Sequence, residues 1–287
     1  MMKSTTFQIV VGVMATIFPA LSALAADERL SDFEFTPTSR PPLKVYMALP
    51  AKVAADTPIV FALHGMTRSA RAVRDAWAPA ALVRNVIVVT PHFDAKAYPK
   101  SEQYNLGNTR DAAGKPLPAK EWTYTVIEEL FDAVKTRTGS AVGEYSLYGH
   151  SAGAQFAHRL LLMLPAARVK RVISANAGYY VMPDDSPAPF GMAASGVGAA
   201  QACRAYGVPM TLLIGNDDDD PKHHQLNNTA NAKAQGPHRL ARGWQFFLAT
   251  KQDAAAKKCV YRWTVETVPG AGHDFDKMAV AAAARLP

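Results

Sequence analysis

The chain has 287 residues, of which two are cysteines, and its 31 Lys and Arg against 24 Asp and Glu give a formal charge of +7. That length suits one domain with a sizeable core, and two cysteines exclude a disulfide-rich scaffold. The basic residues are spread along the chain without aromatic interleaving or a recognised motif, so nucleic acid is not an expected partner.

The N-terminus opens Met1-Met2-Lys3-Ser4, runs through an apolar stretch from Phe7 to Leu24, and reaches Ala23-Leu24-Ala25 before Ala26. A charged start, an apolar centre and a small-residue site predict a signal peptide over 1–25 and export to a bacterial periplasm or beyond. No other apolar stretch approaches the ~20 residues that span a bilayer, so no membrane span is expected after cleavage. A polar, Pro-rich lead (26–42) then precedes a single catalytic domain over 43–287, with no internal repeat.

From Leu43 onward, strand-like and helix-like segments alternate. Strands are expected at Leu43–Leu49, Ile59–Leu63 and Val86–Thr90, with a helix over Ala70–Val83 between the last two. The second strand runs into His64-Gly65-Met66. A longer irregular stretch from His92 to Lys115 carries Phe93, Tyr98 and Tyr104. Helix Glu121–Arg137 places Trp122, Val126, Leu130 and Val134 on one face and stops at Gly139.

Glu144 to Tyr148 is β-prone, and Ala152 to Leu164 has Phe156, Leu160, Leu161 and Leu164 at helical spacing before Pro165. Between them stands Gly149-His150-Ser151-Ala152-Gly153. Strand, Gly-x-Ser-x-Gly turn and helix describe a nucleophile elbow, in which Ser151 occupies a strained turn and bulkier residues at 149 or 153 would clash. A serine hydroxyl needs a base to take its proton and a third group to orient that base.

After strand Val169–Ala175 comes a second irregular stretch, Tyr179 to Gly207, with Tyr180 near its start. Phe93, Tyr98 and Tyr180 are candidate substrate walls, because ligands of open α/β sheets bind at the carboxyl ends of strands. The strand Pro209–Gly215 leads into Asn216-Asp217-Asp218-Asp219-Asp220. Asp218, third after Gly215, is favoured as the orienting acid, with Asp217 and Asp220 in reserve. A metal site on Asp219, Asp220, His223 and His224 is the weaker reading, and no metal or other cofactor is expected. Helix Pro237–Ala254 and strand Tyr261–Val268 lead to Gly270-Ala271-Gly272-His273, which supplies the base late in the chain, and a final Ala-rich helix follows. The backbone N–H groups of Met66 and Ala152 are the expected oxyanion donors.

His64-Gly65-Met66, Gly149 to Gly153, the turn from Gly215 to Asp218, and Gly270-x-Gly272-His273 together resemble the α/β-hydrolase superfamily over about residues 43 to 280. The resemblance implies a mostly parallel central sheet with helices on both faces and a Ser151–His273–Asp218 triad; neither irregular stretch is long enough for a large lid. Tyr145 to Tyr180 with Gln235 to Gly243 is similar to bacterial secreted polyhydroxybutyrate-depolymerase-like esterases. Expected from this is an exported serine hydrolase of short-chain or hydroxyalkanoate-like esters. A peptidase or amidase on the same fold and a non-catalytic binding protein are the rivals. Cys203 precedes the Met210 strand and Cys259 opens the last one; in an oxidising compartment they are expected to pair, joining the segments that carry Asp218 and His273.

Overall fold

The computed structural model describes residues 29–286, so the 1–25 leader lies outside the described residues. Eight strands form one sheet in the order β1-β2-β4-β3-β5-β6-β7-β8. They are β1 (Leu30–Phe35), β2 (Leu43–Ala48), β3 (Ile59–Leu63), β4 (Ile87–His92), β5 (Tyr145–His150), β6 (Val169–Ala175), β7 (Met210–Gly215) and β8 (Trp263–Val268). β1 and β2 run antiparallel to their neighbours, and from β4 to β8 all pairings are parallel. The central strand β3 reads Ile-Val-Phe-Ala-Leu and is buried throughout, as a strand covered on both faces must be.

Among the described residues there are seven α-helices: α1 (Ala70–Val83), α2 (Thr125–Thr138), α3 (Ala152–Met163), α4 (Ala199–Gly207), α5 (Ala230–Ala234), α6 (Arg239–Ala256) and α7 (Phe275–Ala283). Alternation along each strand divides the core. Phe61, Leu147, Val172 and Leu212 meet α2, α3 and α6 residues such as Leu130, Phe156 and Phe246. Val60, Tyr148, Ile173 and Leu213 meet Trp77 of α1 and Met278 of α7 on the other face. This is the mostly parallel, helix-covered sheet expected from the alternation of strands and helices.

Two elements depart from the expectation. Residues 30–35 are not an irregular lead but edge strand β1, with Asp32 and Glu34 exposed, Phe33 and Phe35 turned inward, and an Asp32–Lys44 ion pair at 3.2 Å. A charged outer face suits an edge strand but weakens its apolar signal. The stretch 179–207, expected to be irregular, ends in α4, which carries Cys203. Cys203 and Cys259 are disulfide-bonded with Cα atoms 5.1 Å apart, joining α4 to the turn before β8.

Candidate active site

The site forms where β3, β5, β7 and β8 release their carboxyl ends. After β5 the chain turns sharply, and Ser151 has φ 57° and ψ −114°, a conformation side chains seldom tolerate. The turn is tight enough that a β-carbon on Gly149 would overlap the Gly153 carbonyl, and one on Gly153 would overlap the Leu63 carbonyl of β3. Small residues at both positions are thus required by close backbone approach. The Ser151 N–H donates to the Ala175 carbonyl, which ties the turn to the neighbouring strand.

Ser151 Oγ lies 3.0 Å from His273 Nε2, and His273 Nδ1 lies 2.8 Å from Asp218 Oδ2. The structure therefore brings together the three side chains proposed from the sequence. Burial separates the competing aspartates: Asp218 is 3% exposed, whereas Asp217, Asp219 and Asp220 face solvent. Burial pushes the Asp218 carboxyl up, but its hydrogen bond and charge contact with His273, and the Arg239 charge, outweigh that and hold it below the usual value.

Arg239, at the start of α6, is the main member that sequence reading missed. It is 1% exposed and its Nη1 donates to Asp218 Oδ1 at 3.0 Å, so one carboxylate oxygen faces the imidazole and the other a guanidinium. Its signals were a place just after Pro237 at a helix start and inside the segment Gln235 to Gly243. Asn176 was missed as well. Its Oδ1 accepts from Gly215 N–H at 2.8 Å and its Nδ2 donates to the Gly272 carbonyl at 2.9 Å, stitching the acid turn to the histidine loop. The β-carbon of an alanine at 215 would overlap the Ala271 carbonyl, so these two loops touch backbone to backbone.

Two other histidine rings flank the first, and a third stacks on one of them. His150 lies 4.7 Å from His273 ring to ring, His223 packs edge-on at 5.2 Å, and His224 stacks on His223. His150 is held well below its ordinary value, first by burial and then by His273, so it stays neutral and does not compete as a base. Among the described residues no three His, Cys, Asp or Glu side chains come together as metal ligands.

Opposite the acid stands the loop after β3. His64 Nδ1–H donates to the Gly65 carbonyl at 2.9 Å, and its Nε2 accepts from Phe93 N–H at 3.2 Å. Full burial lowers its pKa to about 3, so the ring is a neutral prop. Tyr104 Oη donates to the His64 carbonyl at 2.6 Å. Arg68 donates to the Phe93, Tyr98 and Lys100 carbonyls, fastening the loop to the stretch after β4. Met66 faces the same cavity as Ser151 and its N–H has no partner among the described residues; the Ala152 N–H is in the first turn of α3, where no intrahelical acceptor exists. The cavity holds about 300 Å³ and is lined by Gly65, Met66, His150, Ser151, His273 and Phe275, among others.

The three aromatic candidates for substrate walls are placed elsewhere. Phe93, Tyr98 and Tyr180 are each 0% exposed and belong to the hydrophobic core, and none lines this cavity. Phe93 and Tyr98 pack edge to face under the Arg68 loop, and Tyr180 stacks on Phe246 of α6. Both stretches leave the catalytic end as expected, but they fold back over α3, so their aromatics fill space beneath the loops.

The Esterase family profile matches residues 38–253. The chain belongs to the esterase family. Among solved structures it is similar to poly(aspartic acid) hydrolase-1 from Sphingomonas sp. KT-1, at 39% identity and a TM-score of 0.87, covering 89% of this chain and 97% of that one. It is also similar to a poly(3-hydroxybutyrate) depolymerase from Bordetella parapertussis, at 31% identity and a TM-score of 0.83, covering 90% of this chain and 91% of that one. The S-formylglutathione hydrolase of Agrobacterium tumefaciens, at 19% identity with a TM-score of 0.56, covering 90% of this chain and 95% of that one, shares the fold. No curated protein matches this esterase in sequence.

Proposed function

We propose that this esterase is an exported serine hydrolase that cleaves carboxylic esters through an acyl-enzyme. The observation that carries the reading is the continuous contact Asp218–His273–Ser151, at 2.8 and 3.0 Å, beside an open cavity. Neutral His273 donates Nδ1–H to Asp218 and accepts the Ser151 proton at Nε2 as Oγ attacks the acyl carbon. The Asp218 charge stabilises the imidazolium that forms. The Met66 and Ala152 amides hold the oxyanion, and they gain strength as its charge develops. His273 returns the proton to the leaving alcohol, and water repeats the sequence on the acyl-serine.

Short-chain or hydroxyalkanoate-like esters are the proposed substrates, supported by the likeness to a poly(3-hydroxybutyrate) depolymerase. Export is supported by the disulfide, a bond that persists in oxidising compartments. Labelling with a fluorophosphonate tests the chemistry: the folded protein should take up one label and Ser151→Ala none. Equal labelling of the two defeats the proposal. A hydrolysis panel over esters of rising acyl length, including a solid polyester, tests the substrate class.

A second reading rests on the 39% identity to a poly(aspartic acid) hydrolase, whose substrate is joined by amides. Acyl chemistry is common to both. Faster turnover of peptide anilides than of matched p-nitrophenyl esters would favour amide cleavage over ester cleavage.

A further inference from the structure

A second cavity, of about 270 Å³, lies on the other side of the nucleophile helix from the α1 and α7 face. Its floor is α3, and its walls are the two stretches that follow β4 and β6. Ser151, Gln155 and Arg159 follow one another at four-residue spacing, so Arg159 lies about 12 Å along the helix from the nucleophile. The catalytic cavity and this one share no lining residue.

Arg159 is 1% exposed, and among the described residues no carboxylate pairs with it. Its Nη2 donates to the Pro189 carbonyl at 3.2 Å, while its buried Nε and Nη1 have no hydrogen-bond partner. The Tyr179 ring, 5.1 Å from the guanidinium carbon, compensates only part of the lost hydration. A buried cation with two unmet nitrogens is costly unless something else supplies negative charge.

We infer that this cavity binds a small organic carboxylate with a short apolar body, its anionic end against Arg159. The chemistry of the walls selects that class. Leu106, Met163, Val181 and Pro189 offer apolar surface, and Arg110 adds a second cation with no carboxylate partner among the described residues, its Nη1 and Nη2 donating to the Gly114 and Ala194 carbonyls at 2.7 and 2.6 Å. Arg110 thereby also holds the two walls together. Glu102 and Asp111 stand exposed at the rim, where they repel phosphate groups and polyanionic chains but leave room for a single buried charge. A water claims about 30 Å³ of liquid, so the space takes a short-chain acid together with some water. Such acids are the products of short-ester hydrolysis, yet the site stands on its own residues and does not depend on the catalytic reading.

Titration of the full chain with sodium butyrate, followed by ligand-observed NMR, tests the inference, with butyramide as the neutral control. Saturable millimolar binding of butyrate is expected, with none for butyramide. Thr109 also lines this cavity, so Thr109→Trp fills it and should weaken binding about tenfold or more, as should Arg159→Met. Ser69 lines the catalytic cavity instead, so Ser69→Trp fills that one and should leave butyrate binding unchanged. Thr109→Trp keeps the test decisive should Arg159→Met fail to fold. Undiminished binding to Thr109→Trp, loss on Ser69→Trp, equal binding of butyramide, or no saturable butyrate binding would each overturn the assignment.

Discussion

The two sides of Ser151 are built by opposite means. On the acid side, charges are buried and paired: Asp218 sits between His273 and Arg239, with both carboxylate oxygens engaged. On the donor side, the buried imidazole of His64 is neutral, and the Arg68 guanidinium donates to three backbone carbonyls and lies over the Tyr104 ring, with no carboxylate pairing among the described residues. The difference fits the two tasks proposed for these sides. A group that answers a moving proton needs a fixed charge close by, whereas a loop that presents N–H groups needs only rigid backbone, which neutral hydrogen bonds and aromatic packing supply.

Removing the acid-side charge should have the largest effect. Asp218→Asn is expected to lower kcat by about 10³- to 10⁴-fold with the fold intact, measured on a p-nitrophenyl ester, while Asp217→Asn and Asp220→Asn stay near wild type. Arg239→Met should come next, leaving Asp218 buried with a lost partner. A loss of about 3–5 kcal/mol in denaturant unfolding is expected, together with a raised acid limb in the kcat/KM–pH profile; an unaltered profile would mean that Arg239 serves packing alone. The disulfide lies beneath this same side. Cys203→Ser with Cys259→Ser should cost about 2–4 kcal/mol, in keeping with a sequence separation of 56.

Donor-side changes should be milder. Tyr104→Phe removes the bond to the His64 carbonyl, and a stability loss of about 1 kcal/mol with a modest fall in kcat at constant KM is expected. A further change concerns pH. His64 is depressed from 6.5 to about 3, and burial also lowers His150 and His158. Below pH 6.5 the unfolded chain takes up protons that these folded imidazoles refuse, so stability should decline as pH falls from 6.5 towards 3. His158→Gln should flatten that decline by about 1.4 kcal/mol per pH unit or less, as read from urea melts across the window.

Much of this contrast was legible in the sequence. Ile59–Leu63, Ala70–Val83 and Val169–Ala175 fall where periodicity put them, because continuous apolar runs and helical spacing report burial directly. Ser151, His273 and Met66 were singled out because a strained turn, a glycine-rich loop and chain order leave local traces. Asp218 was favoured only by its offset, and burial was needed to separate it from Asp217 and Asp220. Strand β1 was hidden by the charges on its outward face, and Phe93, Tyr98 and Tyr180 were misplaced because an aromatic in a loop looks the same whether it lines a cleft or fills a core.

By itself, then, the sequence determined the order of strands from β2 to β8 and of the main helices, the serine elbow and the residue types able to activate it, all properties that reside in short segments. Only the tertiary structure decided what stands behind those residues. Arg239 reaches Asp218 across 21 positions, Asn176 reaches Gly272 across 96, and Arg159 has no carboxylate at hand among the described residues. Such pairings are set by how the loops fold back over the sheet, and a buried charge acquires its meaning from neighbours that no local pattern encodes.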